Sequence, residues 1–251
     1  MEKINVTAVS YLNTKPFLFG LEQSGIMKKI NLVKETPALV AESLISGKAT
    51  IGLLPVAVIQ EISGAQIISD FGIACNGAVG SVCIYSQVPL IEINTIFLDY
   101  QSRTSVELAK ILMRDFWKIN PEFKKSTKGY ESEIRNNVAG LIIGDRALQL
   151  KSHFAYCYDL GEAWKEFTGL PFVFASWVTN ESLPSEFLKP FNAALQFGVD
   201  HIKMVADSNQ PDYPGIDTLD YLSNKIQYQL TAEMKKGMQL FLEESKSIAA
   251  I

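Results

Sequence analysis

Histidine and cysteine are scarce in this chain of 251 residues, which holds two of the first (His153, His201) and three of the second (Cys75, Cys83, Cys157). Three cysteines cannot all pair with one another. None stands in a CxxC or other metal-ligand spacing, so the reading is a reduced chain of the cytoplasm rather than a disulfide framework or a structural metal site. No window of about 18 apolar residues occurs, so no membrane span is expected. The opening MEKINVTAVSYLNTKPF lacks the apolar core of an export signal. Basic residues are not in excess: 23 Lys and Arg stand against 27 Asp and Glu, a net charge of −4. That removes the electrostatic footprint of a general nucleic-acid binder. GxGxxG, GxxxxGK[ST] and GxSxG are absent, and no His/Asp/Glu cluster has metal spacing. No cofactor and no metal are therefore expected, and a small molecule is the expected partner. Neither repeats nor flexible linkers interrupt the chain.

What is present is the grammar of a globular α/β protein. Hydrophobic residues make up 47% of the chain, and charged residues at 20% leave ample material for a core. Strand-like runs at 4–12, 31–35, 50–59 (a strand ending at Pro55, then a helical turn), 65–75, 81–86, 95–100, 138–145 and 172–178, with a short one over Tyr156–Leu160, alternate with helical ones. Thr36-Pro37 opens a helix that Gly47 closes, in the usual cap-then-proline order. SVELAKILMRDFWKI (105–119) carries an amphipathic stripe. The tail is mainly helical, over 186–206, 218–227 and 231–247. This βαβ order predicts mostly parallel sheet with helices on both faces.

Charge divides unevenly. Residues 89–177 balance their acids and bases, and the rest of the chain carries the whole net charge of −4. The expected organisation is two lobes: residues 1–88 plus 178–251, and residues 89–177. Hinge crossings are expected near Tyr85–Val88 and Ala175–Thr179. Ligands of open α/β sheets bind beyond the carboxyl ends of strands, so a cleft between the lobes is the expected site.

Asp99-Tyr-Gln-Ser-Arg-Thr-Ser-Val-Glu107 runs from a strand through a polar turn into a helix. Ser102, Thr104 and Ser105 set hydroxyls beside unpaired N–H groups at the helix start, and Arg103 adds a forked cation. Together they form a seat for a carboxylate or phosphate. A plain helix start with a solvated Arg103 is the other reading; Thr104 and Glu107 have capping-box spacing. Ser10-Tyr11-Leu12-Asn13-Thr14-Lys15-Pro16 lies at the carboxyl end of the first strand, where Asn13 offers donor and acceptor and Lys15 a charge. It also reads as an asparagine-initiated turn before a proline-started helix. Asn76 to Ser81 holds two glycines that permit close backbone approach. Gly144-Asp145-Arg146 ends a buried strand, with Asp145 read as a helix cap and Arg146 as a surface pair.

SYLNTKP, IGLLPVAV, GSVCIYS, QSRTSVELAKILM, LIIGDRAL and YDLGEAWKEFTGLPFVFASWV follow one another in the order seen in one family. Over roughly residues 4–180 the chain resembles the chorismate dehydratases of the futalosine route to menaquinone. The resemblance implies a type II periplasmic-binding-protein-like fold of two α/β lobes. It implies Asn13 and Ser81 as catalytic positions, Ser10 and Tyr11 beside the substrate, and Ser102, Arg103, Thr104 and Ser105 as the carboxylate seat. Gly144 and Asp145 complete the implied pocket. Gly77-Ala78-Val79 stands where the family often reads Gly-Pro-Val, and Ser176 where small apolar residues are commoner. The implied reaction is loss of water from chorismate, by a carbon–oxygen lyase without a cofactor. The sister enzyme that makes 1,4-dihydroxy-6-naphthoate and a non-catalytic small-acid binding protein are the alternatives.

Overall fold

The computed structural model describes residues 3–249. In chain order its elements are β1 (Ile4–Val9), α1 (Lys15–Gln23), β2 (Ile30–Glu35), α2 (Pro37–Ile45), β3 (Ile51–Pro55), β4 (Gln66–Cys75), β5 (Val82–Ser86) and β6 (Thr95–Leu98). Then come α3 (Thr104–Ile111), β7 (Glu122–Lys125), β8 (Val138–Ile143), α4 (Asp145–Leu150), β9 (Tyr156–Asp159), α5 (Leu160–Thr168) and β10 (Phe172–Thr179). The chain ends in α6 (Ser185–Asp200), α7 (Ile202–Asn209), α8 (Thr218–Asp220), β11 (Gln227–Gln229) and α9 (Ala232–Ala249). These elements form two compact units. One takes the residues up to Ala74 with Val173–Thr231; the other takes Cys75–Phe172 with the residues from Ala232 on.

The first unit holds a six-stranded sheet in the order β11-β4-β10-β3-β1-β2. β1 runs parallel to β2 and β3, while β10 runs antiparallel to β3 and β11 to β4. Every residue of β3 is buried, as expected for a strand covered on both faces. Phe17 of α1 reaches under the sheet to the rings of Phe71, Trp177 and Tyr228, at centroid distances of 5.2–6.2 Å. Gly20 and Gly198 let α1 and α6 cross backbone to backbone. A Cβ at Gly20 would lie 1.9 Å from the Ala194 carbonyl oxygen, and one at Gly198 1.8 Å from that of Pro16. The glycines therefore pin α1, and with it the turn that precedes it.

The second unit holds a five-stranded sheet in the order β7-β6-β8-β5-β9. β6 is parallel to β7 and β8, and β5 is antiparallel to β8 and β9. Trp164 of α5, Phe172 and Phe241 of α9 stack edge to face with centroids 5.0–6.3 Å apart. A second cluster on the sheet joins Cys83, Tyr85, Tyr130, Ile134, Ile142 and Ala147.

Several expectations differ from this architecture. Both sheets are mixed rather than mostly parallel, because β5 runs against β8 and β9, β10 against β3 and β11 against β4. The chain passes between units after Ala74, Phe172 and Thr231: the second crossing lies within three residues of the expected Ala175–Thr179, the first precedes Tyr85–Val88 by about ten residues, and the third was not expected. β5 belongs to the second sheet because β8 and β9 flank it. α9 belongs with the second unit through its apolar stripe. Met234, Met238 and Phe241 are buried, each contributing roughly 1.5–3 kcal/mol, and Glu107 and Arg114 bind the α9 residues Ser245 and Glu244. Charge balance does not mark a packing boundary; contiguous apolar surface does. The 105–119 helix is α3 followed by a wider π turn over Leu112–Phe116. The 186–206 helix is broken at His201 into α6 and α7.

Candidate functional site

Because β6 and β8 are parallel and β5 and β9 run against and beside them, four chain segments meet at one end of the five-stranded sheet. They are the exits of β6, β8 and β9 and the entry to β5. Ser81, Ser102–Ser105 and Gly144–Asp145 all lie there. Ser10, Tyr11 and Asn13 belong to the other unit, at the carboxyl end of β1. There Ser10 is exposed, Tyr11 is half-buried against the core cluster that holds Val9, and Asn13 sits in a single 3₁₀ turn, Leu12–Thr14. The Asn13 carboxamide oxygen accepts a bond from the Thr14 hydroxyl (3.2 Å).

The β6–α3 turn is built differently from the capping box that its sequence suggests. The helix begins at Thr104, so Arg103 occupies the cap position without a side-chain cap bond. Ser102 supplies the cap instead. Its Oγ accepts from the Ser105 N–H (3.1 Å), and its own N–H donates to the Asp99 carbonyl (3.1 Å). Glu107 accepts from Ser245 of α9. Thr104 and Ser105 are buried, Ser102 is half-buried and Arg103 is exposed.

Asp99 lies directly beneath this turn with its side chain fully buried. Its Oδ1 accepts from the Gln101 N–H (2.9 Å) and its Oδ2 from the Ile143 N–H at the end of β8 (3.1 Å). Arg146 Nη2 reaches both carboxylate oxygens, at 2.8 and 2.6 Å, and Nη1 binds Glu131 Oε1 at 2.5 Å. The guanidinium lies 5.1 Å from the Tyr100 ring and 6.0 Å from that of Tyr130. Partial burial works against the Arg146 charge, but the Asp99 carboxylate more than offsets this and holds the guanidinium proton above its ordinary value. Burial first, and then Asp99, push the Tyr130 hydroxyl up. Arg146 is thus no surface pair. Gly144 holds the cap position with φ +65°, where a side chain would be strained, and Asp145 is the first residue of α4 rather than its cap.

Ser81 is buried, with 1% of its surface exposed. Its carbonyl accepts from the Gly144 N–H (2.8 Å), which joins the entry of β5 to the exit of β8. The loop before it is held from the other side by Asp159. That carboxylate accepts from the N–H groups of Val79 (3.1 Å), Gly80 (2.6 Å), Gly161 (2.9 Å) and Glu162 (3.1 Å). It caps α5 and tethers the glycine loop at the same time. Trp164 is core, as its stacking on Phe172 and Phe241 requires. The two tethers, Asp99 with Arg146 and Asp159, were not singled out from sequence as site-forming. A lone acid at a strand exit directly before a polar turn was the available signal. Among the described residues no group of three or more His, Cys, Asp and Glu is placed to hold a metal ion, and no helix is long and apolar enough to cross a membrane.

Chemically, the end of this sheet offers hydroxyls, helix-start N–H groups and an exposed guanidinium over a stiff base, which suits an anionic organic acid. A family model described as menaquinone biosynthesis matches residues 4–247. The chorismate dehydratase of Thermus thermophilus is 25% identical over 257 residues, spanning 93% of this chain and 92% of its own. The chorismate dehydratase of Campylobacter jejuni is 30% identical over 184 residues, 71% of this chain and 68% of its own. In fold the chain is like the periplasmic aliphatic sulphonate binding protein of Escherichia coli, with a TM-score of 0.67 and 10% identity over all of this chain and 89% of that one.

Proposed function

This chain belongs to the menaquinone-biosynthesis family, and from that premise we propose that it is a chorismate dehydratase. Chorismate loses the C3 hydrogen and the C4 hydroxyl as one water and becomes 3-[(1-carboxyvinyl)oxy]benzoate. No electrons leave or enter, so no redox cofactor is needed. The product ring is aromatic, which makes the overall step strongly downhill. What the protein has to supply is a lower barrier to breaking the C3–H bond.

The observation that supports this reading most is the convergence of Ser81 and the Ser102–Ser105 turn at one end of a sheet, over a base stiffened by two carboxylates. In the proposed mechanism the turn and Arg103 seat one substrate carboxylate. The protein is net negative and the substrate a dianion, so attraction has to be local. The enolpyruvyl carboxylate hangs near C3 and takes its proton. Holding that conformer supplies up to about 7–11 kcal/mol, as in well-oriented intramolecular reactions. Asn13 and Ser81 orient the substrate and donate hydrogen bonds to charge that develops as the C3–H and C4–O bonds break. This division of labour accounts for a chain with two histidines, neither of them at a strand-end motif.

The reading is tested by incubating the purified protein with chorismate alone. Loss of the cyclohexadiene absorbance and a product lighter by one water support it. Tight binding without turnover favours a non-catalytic acid-binding protein, the alternative suggested by the likeness in fold to a periplasmic binding protein. A naphthoate product favours the sister enzyme.

A further inference from the structure

We propose that Arg146, acting through Asp99, is a positioning residue that sets substrate affinity by locking two strand-end turns together. The inference rests on the dehydratase reading only for the ligand used to test it. The Asp99 carboxylate is bonded at once to a backbone N–H of the β6–α3 turn (Gln101, 2.9 Å) and to one at the exit of β8 (Ile143, 3.1 Å). It makes both bonds only while its side chain stays buried in one orientation. Arg146 imposes that orientation. Nη2 bridges both carboxylate oxygens and also meets Gln101 Oε1 at 3.3 Å, so the guanidinium touches the turn itself. Nη1 is anchored on Glu131, and the Tyr100 and Tyr130 rings flank the guanidinium. A planar fork satisfies these partners together; a lysine ammonium meets one or two of them. Ser102, whose Oγ caps α3, donates its own N–H to the Asp99 carbonyl. A swing of the Asp99 side chain frees the Gln101 N–H, next to Ser102, and so loosens the helix start that seats the carboxylate. The lock's bonds centre on Gln101 and Ile143, and the nearest catalytic candidate, Ser81, meets them through its carbonyl bond to Gly144, so the lock is expected to act mainly on binding.

The test compares the full-length protein with Arg146→Lys and Arg146→Met by amide hydrogen exchange and by chorismate kinetics. Arg146→Met is expected to speed exchange at Gln101–Ser105 and Ile143 about tenfold or more, the scale of losing a charged hydrogen bond, with β1 and β3 amides unchanged. KM is expected to rise about tenfold with kcat within about twofold, and Arg146→Lys to fall between. Should Arg146→Met fail to fold, Glu131→Gln loosens the same guanidinium and is expected to give the same pattern at smaller size. Unchanged exchange at these amides overturns the proposal, and so does faster exchange with an unmoved KM, or a fall in kcat with KM unmoved. Should the wild-type protein leave chorismate untouched, the dehydratase reading fails by itself. The lock then stands or falls on whether exchange rises at these two turns and nowhere else.

Discussion

Asp99 and Asp159 do the same job by opposite means. Each takes backbone N–H groups from two separate segments at the end of the five-stranded sheet. Asp99 is completely buried and balanced by the Arg146 guanidinium. Asp159 is half-buried and is balanced by four N–H dipoles from Val79, Gly80, Gly161 and Glu162. A buried charge needs either a counter-charge or a full set of donors. One side of the site is thus held by an ion pair, and the other by backbone N–H groups alone, two of them 80 and 79 residues away in the chain. Ser81 sits between the two, tied forward to Gly144 and backward to Gly80.

The largest loss is expected at Asp99. Asp99→Asn leaves Arg146 half-buried with only Glu131 as a charged partner, a loss of about 3–5 kcal/mol of stability by analogy with other split buried pairs. Urea unfolding measures it. Next in size are Ser81→Ala and Asn13→Ala, each expected to lower kcat about a hundredfold, or about 3 kcal/mol of barrier, with the unfolding midpoint almost unmoved. A near-normal kcat in either variant removes that residue from the mechanism. Asp159→Asn is gentler. The amide oxygen still serves Gly161 and Glu162, but the new NH₂ faces the Gly80 N–H where Oδ2 stood at 2.6 Å. Losing that one charged bond costs about 1–2 kcal/mol, and the gap between Asp99→Asn and Asp159→Asn gives the contrast a measured size. Equal losses at the two positions would erase it. Arg103→Ala is the smallest effect: Arg103 is exposed, and KM is expected to rise about tenfold with stability unchanged.

Much of this was legible in the sequence, for stated physical reasons. The strand exits at 4–12, 95–100 and 138–145 carry strong apolar runs, so the turns at Ser10–Pro16, Ser102–Ser105 and Gly144–Asp145 were located by period alone. β7 was missed because Glu122–Lys125 is charged and mostly exposed, with no alternation to read. β11 was missed, with only its Gln227 inside the helix expected over 218–227, because three residues carry too little pattern. Two partners of Asp99, Ile143 and Arg146, lie 44 and 47 residues away, a separation that no window can see. The placement of α9 was misjudged for the same reason: its stripe of Met234, Met238 and Phe241 says that it packs, not against what.

One measurement bears most directly on the idea that the protein grips and the substrate supplies its own base. The purified protein is given chorismate whose enolpyruvyl carboxylate is capped as a methyl ester, beside unmodified chorismate. The expected result is that the ester competes for the site yet loses no water over many turnovers of the free acid. Elimination from the ester at a rate near that of chorismate would mean that a protein group removes the C3 proton, and the account given for Asn13, Ser81 and the Ser102–Ser105 turn would be contradicted.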